Sequence, residues 1–173
     1  RRWIDQSRNW YYRIMTRMSE NPSAAVLGLV AEWADNYPLF CEDAVYFRFK
    51  DGIAHRHDAP NAGQIRMRAP AGRQRVILKA RQVGSSSEIA SQFVHQCLFE
   101  PGTSIAVAAQ TKKGVRGISD LYAHVVSHLP KILRTGLFKA EIGVEAIRWP
   151  RLGSEIVFDT ANSESWRGVP RQG

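Results

Sequence analysis

Apolar side chains recur at helical spacing through the first part of the chain. Over residues 3–18 they form a stripe that leaves most of the arginines on the other side, as in an amphipathic helix. Asn21 and Pro22 suit the N-cap and first position of a second helix, and Pro38 opens a third. The pattern therefore predicts a helical lead-in over residues 1–52, with helices over residues 3–18, from residue 22 and over residues 39–47.

Strands alternate with helices from Arg75 onward, after a polar segment (residues 53–73) that is broken by prolines and glycines. One or two helical turns are expected near residues 64–67 of that segment. Short continuous runs of Val, Ile and Ala are typical of buried strands, and the longer segments between them have helical periodicity. The alternation predicts an α/β fold, a three-layer domain with a mostly parallel sheet. The predicted elements are a strand over residues 76–78, a helix over 86–99, a strand over Ser104–Ala109, a helix over 113–129, and strands over 145–149 and 155–159.

Composition adds the expectation of a polyanionic partner. The 173 residues carry 24 Lys and Arg against 16 Asp and Glu, a net charge of +8, and most of the cations are arginine, the better partner for phosphate. The longest strongly apolar run, residues 24–31, is far shorter than the ~20 residues that cross a bilayer, so no membrane span is expected. Cys41 and Cys97 lie among apolar residues and are expected to be buried thiols.

One short motif in the sequence has the outline of a phosphate-binding loop. The segment RVILKARQVGSSS passes from a predicted strand through a glycine turn into a predicted helix, the context of the pattern GxxxxGK[ST]. Ser85 stands where that pattern has lysine, and Lys79 stands at its first glycine. Backbone N–H groups at the helix start would favour an anion whatever side chain occupies position 85. A lysine at position 79, with Arg81 beside it, would supply the missing positive charge, and Ser86 would be the hydroxyl that coordinates Mg²⁺.

The motif and its flanks resemble the large terminase subunits, the ATPases that pump viral DNA into capsids. KARQVGSSS resembles their variant Walker A loop, in which a lysine stands early and Arg-Gln precedes the glycine. The segments PLFCEDAVYFRFKDG, SIAVAAQTKKGVRGISDLY and EIVFDTANSESWRGVP resemble the flanking parts of that ATPase domain in the same order. DAPNAGQIRMR resembles the Asn-x-x-Gln element, which implies that Gln64 reads the adenine edge.

The resemblance implies a function as well as a fold. Residues 53–173 would be the front part of a P-loop NTPase domain that binds ATP and Mg²⁺, with Walker B and a nuclease domain expected beyond Gly173. Its activity would be ATP hydrolysis coupled to translocation of double-stranded DNA, in a homo-oligomeric ring with portal protein and small terminase subunit, in the bacterial host cytoplasm. Lys79 and Arg81 would be catalytic. The nucleotide-binding residues would be Gln64, Lys79, Ala80, Arg81, Gln82, Val83, Gly84, Ser85, Ser86 and Ser87.

Two other readings of the same residues remain open. Because Ser85 replaces the usual lysine, the fold could be a degenerate phosphate-loop domain that binds nucleic acid or a capsid protein without hydrolysis. A metabolic kinase is disfavoured by the basic charge and by the lack of a recognisable acceptor site.

Overall fold

The computed structural model describes residues 24–48, 54–57, 60–68 and 84–161. The predicted helix over residues 3–18, the predicted strand over 76–78 and motif residues 79–83 lie outside the described residues. The helices and strands are α1 (Ala24–Asp35), α2 (Tyr37–Ala44), β1 (Tyr46–Arg48), β2 (Ala54–Arg56), α3 (Ala62–Arg68), α4 (Ser85–Phe99), β3 (Ser104–Ala109), α5 (Lys112–His128), β4 (Glu141–Ile142), β5 (Ala146–Trp149) and β6 (Ser154–Thr160). Two short 3-10 helices, Lys131–Arg134 and Gly136–Phe138, lie between α5 and β4.

The third predicted helix is shorter than expected. Asn36 caps α2 by accepting a hydrogen bond from the backbone N–H of Leu39, and the helix ends at Ala44 rather than near residue 47. Val45 already has extended dihedral angles, and β1 follows it, paired antiparallel with β2. The prediction of helix here was wrong because β-branched and aromatic residues fit a strand better than a helix, and β2 supplies the partner.

The main sheet has the strand order β3-β6-β5-β4, and it is not mostly parallel as predicted. Among the described strands only β3 and β6 are parallel, with Ser104 opposite Glu155, whereas β5 is antiparallel to both β6 and β4. The connections from β4 to β5 and from β5 to β6 are short turns, and short turns can join only antiparallel strands. The β3 strand is followed by the long helix α5, which allows the parallel return. The described residues thus form a mixed α/β fold.

Helices cover one face of this sheet. Along β6, Ser154, Ile156 and Phe158 are buried, and the residues between them are only half-buried. Phe158 packs edge-on against Tyr122 of α5, and Ile156 belongs to the same core cluster as residues of α1, α2 and α4. On the other face β3 exposes Ser104, Ala106 and Ala108. A second helical layer, which the three-layer prediction requires, is not found among the described residues.

The direction of α4 places its two ends at opposite edges of the sheet. The Cys97 thiol, near the end of α4, lies 3.7 Å from the carbonyl oxygen of Glu155, near the start of β6. Because α4 leads into β3 through a short connection, we expect it to run antiparallel to β3, with its start toward the edge where β3 and β6 both end. Clefts at the carboxyl ends of parallel strands are the usual ligand sites of α/β folds. Both cysteines are buried and free, as expected. Within the described residues, no helix is long and apolar enough to cross a membrane.

Candidate phosphate-binding site

The start of α4 is an uncapped helix N-terminus. Gly84 occupies the N-cap position in the left-handed region, with φ 69° and ψ 13°, and no side chain of the described residues caps the helix. The backbone N–H of Glu88 donates to the Gly84 carbonyl oxygen at 3.1 Å, which closes the first helical turn. The N–H groups of the three preceding residues have no acceptor within the helix and bind no acceptor elsewhere in the part of the chain that the structure describes, and such groups suit an anion. We call residues 84–87 the serine turn.

The three hydroxyl groups of the serine turn differ in exposure. Ser86, expected to coordinate Mg²⁺, is exposed, and Ser87 is half-buried. Ser85 is only 2% exposed, and its hydroxyl has no hydrogen-bond partner among the described residues. A buried hydroxyl without a partner is unusual in a folded protein and is most simply satisfied by a ligand or a water molecule. Within the described ranges, the serine turn therefore combines N–H groups and a buried hydroxyl that have no hydrogen-bond partner.

The predicted adenine-reading residue, Gln64, lies against this turn. Asn61 caps α3 through its side-chain oxygen, and Gln64 returns the bond by accepting from the Asn61 N–H at 2.9 Å. The Gln64 Nε2 then donates to the Gly84 carbonyl oxygen at 3.2 Å, and the residue is only 7% exposed. Five of the ten predicted nucleotide-binding residues are therefore close together in the structure: Gln64, Gly84 and residues 85–87. The roles assigned to Lys79, Ala80, Arg81, Gln82 and Val83 stay predictions, because these residues lie outside the described residues.

Other polar groups lie at the same edge of the sheet. Asp159 and Thr160 end β6, and the Asp159 side chain accepts a hydrogen bond from the Thr160 N–H. The parallel strand β3 leads to α5, whose first turns expose Lys112, Lys113 and Arg116. The sequence analysis did not single out these cations. The sequence feature that could have identified them is the basic segment KKGVRG, which follows the run predicted as a strand.

Sequence reasoning also missed the most buried charge. Glu88 is 0% exposed, and its carboxylate accepts hydrogen bonds from four side chains. Burial raises the pKa of Glu88, but these hydrogen bonds outweigh burial and lower that pKa from 4.5 to about 2. We call this group the Glu88 cluster. Its members and their distances to Glu88 are His57 Nε2 at 2.7 Å, Tyr37 Oη and Arg68 Nε each at 2.9 Å, Gln92 Nε2 at 3.2 Å and Arg68 Nη2 at 3.3 Å.

The protonation of the cluster follows from the chemistry of a carboxylate. An ionised carboxylate can only accept hydrogen bonds, so His57 carries a proton on Nε2 and the Tyr37 hydroxyl donates. Arg68 binds both carboxylate oxygens through Nε and Nη2, the forked geometry that suits a buried pair. The helical spacing of Glu88, Ser91, His95 and Phe99 was a signal for this site, because it places Glu88 on the packed face of α4.

Comparisons with known proteins add no family. The chain matches no protein-family model, and no curated protein is significantly similar to it in sequence. Among the residues that the structure describes, no three His, Cys, Asp or Glu side chains are placed to share a metal ion. What the site can do is therefore argued from its own geometry.

Proposed function

We propose that the chain binds Mg²⁺-ATP at the serine turn and is the ATP-binding part of a DNA-packaging motor of the large-terminase type. The observation that carries the proposal is the start of α4, where Gly84 exposes a helix N-terminus without a side-chain cap. The buried Ser85 hydroxyl, without a partner among the described residues, adds a hydrogen-bond donor. A helix dipole and convergent N–H groups favour phosphate over neutral ligands.

Each residue of the site has a role in this proposal. The N–H groups of residues 85–87 hold phosphate oxygens, and Lys79 with Arg81 supplies the charge that Ser85 lacks. The exposed Ser86 hydroxyl fits a Mg²⁺ ligand, because Mg²⁺ keeps several waters and needs only one or two protein oxygens. A Mg²⁺ ion held there would offset the negative charge of the phosphates. Gln64 keeps a second N–H and a second lone pair with which to contact the base.

The basic residues at the start of α5 form the surface that we expect to contact DNA. Cations in the first turn of a helix oppose the helix dipole, so Lys112 and Lys113 destabilise α5 by about 0.3–1 kcal/mol each when nothing binds them, and Arg116 lies in the next turn. No acidic residue stands in that turn to compensate. A phosphodiester backbone would neutralise all three side chains at the edge of the sheet where the nucleotide is proposed to sit.

Calorimetric titration with Mg²⁺-ATP tests the nucleotide site. Under the proposal, Lys79→Ala weakens binding by roughly 1.5–3 kcal/mol, the range for a hydrogen bond to a charged group. Lys139→Ala removes an exposed lysine between α5 and β4 and is the matched control, expected to leave affinity unchanged. Equal, weak affinities for all three proteins would refute nucleotide binding at this turn.

A second candidate function rests on Ser85. A phosphate loop with serine in place of its lysine fits a degenerate domain that binds nucleic acid or capsid protein without hydrolysis. Binding of a DNA duplex together with no detectable binding of ATP or inorganic pyrophosphate would favour this candidate over the motor.

A further inference from the structure

Two contacts one helical turn apart fix α3 against the start of α4. Gln64 donates to the carbonyl oxygen of Gly84, and four residues later on both helices Arg68 binds Glu88. Residues four apart lie on the same face of a helix, so the two contacts align the helices along one full turn. Gln92 adds a third contact one turn further, to the Met67 carbonyl oxygen at 3.3 Å. These contacts therefore hold α3 at a fixed position beside the serine turn.

Two residues outside α3 and α4 bind the same carboxylate. Tyr37, at the first position of α2, and His57, directly after β2, both donate to Glu88. The Arg68 guanidinium also lies 5.2 Å from the centre of the Tyr37 ring, within range for a cation–π contact. Three segments that are distant in sequence thus converge on one side chain, and that side chain stands one turn from the free N–H groups.

Packing alone does not require a charge at this place. Replacing a buried ion pair by apolar residues of similar size is often neutral or stabilising, so the pair is weak support for a purely stabilising role. A carboxylate also imposes a geometry, because its two oxygens define where each hydrogen-bond donor must lie. If α4 shifts when a ligand binds at the serine turn, the hydrogen bonds to Glu88 must move with it or become strained.

We propose that Glu88 is a positioning residue that couples the lead-in and α3 to the serine turn. It fixes Gln64 and the first turn of α4 relative to each other, so that binding at the turn and order in α2 and α3 depend on one another. The inference rests on the proposed function only for the identity of the ligand. The coupling of α3 to α4 does not depend on that function. Coupling of this kind is reciprocal.

Two variants and a matched control test the coupling. Glu88→Gln keeps the shape but removes the charge, and Arg68→Lys keeps the charge but removes the forked contact. Both are expected to weaken Mg²⁺-ATP binding by roughly 5-fold or more. Glu155→Gln makes the same chemical change at a carboxylate that pairs with Arg148 across exposed surface, and it is expected to leave affinity unchanged.

Hydrogen exchange followed by mass spectrometry gives a readout that needs no ligand. In both Glu88-cluster variants α3 should exchange faster while β6 and the second half of α4 keep wild-type protection, because only the register between α3 and α4 is lost. A residue with only a general structural role would instead raise exchange in all of these elements together. If Glu88→Gln does not fold, Arg68→Lys decides alone, since its side chain is 14% exposed and keeps a cation.

The outcomes separate this inference from the proposed function. Wild-type affinity and wild-type exchange of α3 in a folded Arg68→Lys protein would overturn the inference. If the wild-type chain binds neither Mg²⁺-ATP nor pyrophosphate, the proposed function fails. The exchange of α3 then decides the coupling by itself, with faster exchange supporting it and unchanged exchange overturning it.

Discussion

Replacing Gly84 with alanine perturbs the candidate site where Gln64 packs against the backbone of the serine turn. The residue has φ +69°, and a Cβ atom built on it would lie 2.7 Å from Nε2 and 3.3 Å from Cδ of Gln64. Real Cβ atoms essentially never come as close as the first of these distances. The substitution therefore adds backbone strain and also displaces the Gln64 amide.

The expected loss of stability is the sum of two terms. An alanine in the left-handed region costs about 1–2 kcal/mol. Moving Gln64 loses its 3.2 Å hydrogen bond to the Gly84 carbonyl oxygen, which is worth about 1 kcal/mol. The Gly84→Ala protein should thus be less stable by about 2–3 kcal/mol, a fall in Tm of roughly 5–10 °C for a chain of this size.

Gly102 offers a matched control for the backbone term. It has φ +82°, and a Cβ atom there would meet nothing within 4 Å. Gly102→Ala should therefore show the strain alone, about 1–2 kcal/mol in urea denaturation. A double-mutant cycle of Gly84→Ala with Gln64→Ala isolates the second term. Equal losses for the two glycine substitutions, together with zero coupling to Gln64, would refute the contact.

Three further predictions concern the hydroxyl, the buried carboxylate and the exposed cations. Ser85→Ala should leave stability in urea unchanged or raised, because it removes an unsatisfied buried hydroxyl, and should still weaken Mg²⁺-ATP binding measured by calorimetry. Because the pKa of Glu88 is lowered from 4.5 to about 2 in the folded state, its contribution of about 3 kcal/mol is present above pH 4.5 and is lost as pH falls toward 2. Urea titrations of wild type and Glu88→Gln across that window should therefore converge at the acid end, and a constant difference would contradict the shift. Changing Lys112, Lys113 and Arg116 to alanine together should reduce the slope of log affinity for duplex DNA against log salt by ~2–3, and an unchanged slope would remove α5 from the DNA surface.

The elements with strong local periodicity were predictable from sequence. The predicted helices over residues 86–99 and 113–129 differ from α4 and α5 by one residue at most at each end, and β3 has the predicted bounds. Their apolar residues repeat over several turns or form one continuous run, and the core buries one face of each helix. The β3 strand was expected to be buried, but only Ile105 and Val107 pack partly against the core, and Ser104, Ala106 and Ala108 are exposed. Local pattern and tertiary packing agree in the two helices.

Strand pairing was not predictable in the same way. The turn of residues 151–153 was recognised, but its consequence, an antiparallel β5–β6 pair, was not drawn. The β1 and β2 strands are three residues each, too short for a periodic signal, and they exist because each supplies the hydrogen-bond partner of the other. Topology of this kind depends on connection length and on partners distant in sequence rather than on composition.

Under the proposed function, the burial of Ser85 gives a reason for the absence of lysine at this position. Its side chain is 2% exposed at the start of α4, so a lysine there would have to bury its ammonium group or displace the turn. The nearest described cation from α3, Arg68, is already committed to both oxygens of Glu88 and has no charge to spare for a phosphate. Under the proposed function the charge must therefore enter from outside the helix start. The candidates are Lys79 and Arg81 before the turn, with Lys112 and Lys113 at the same edge of the sheet. In that proposal the Glu88 cluster neutralises Arg68 and positions α3 against the start of α4, and other cations would bind the phosphate.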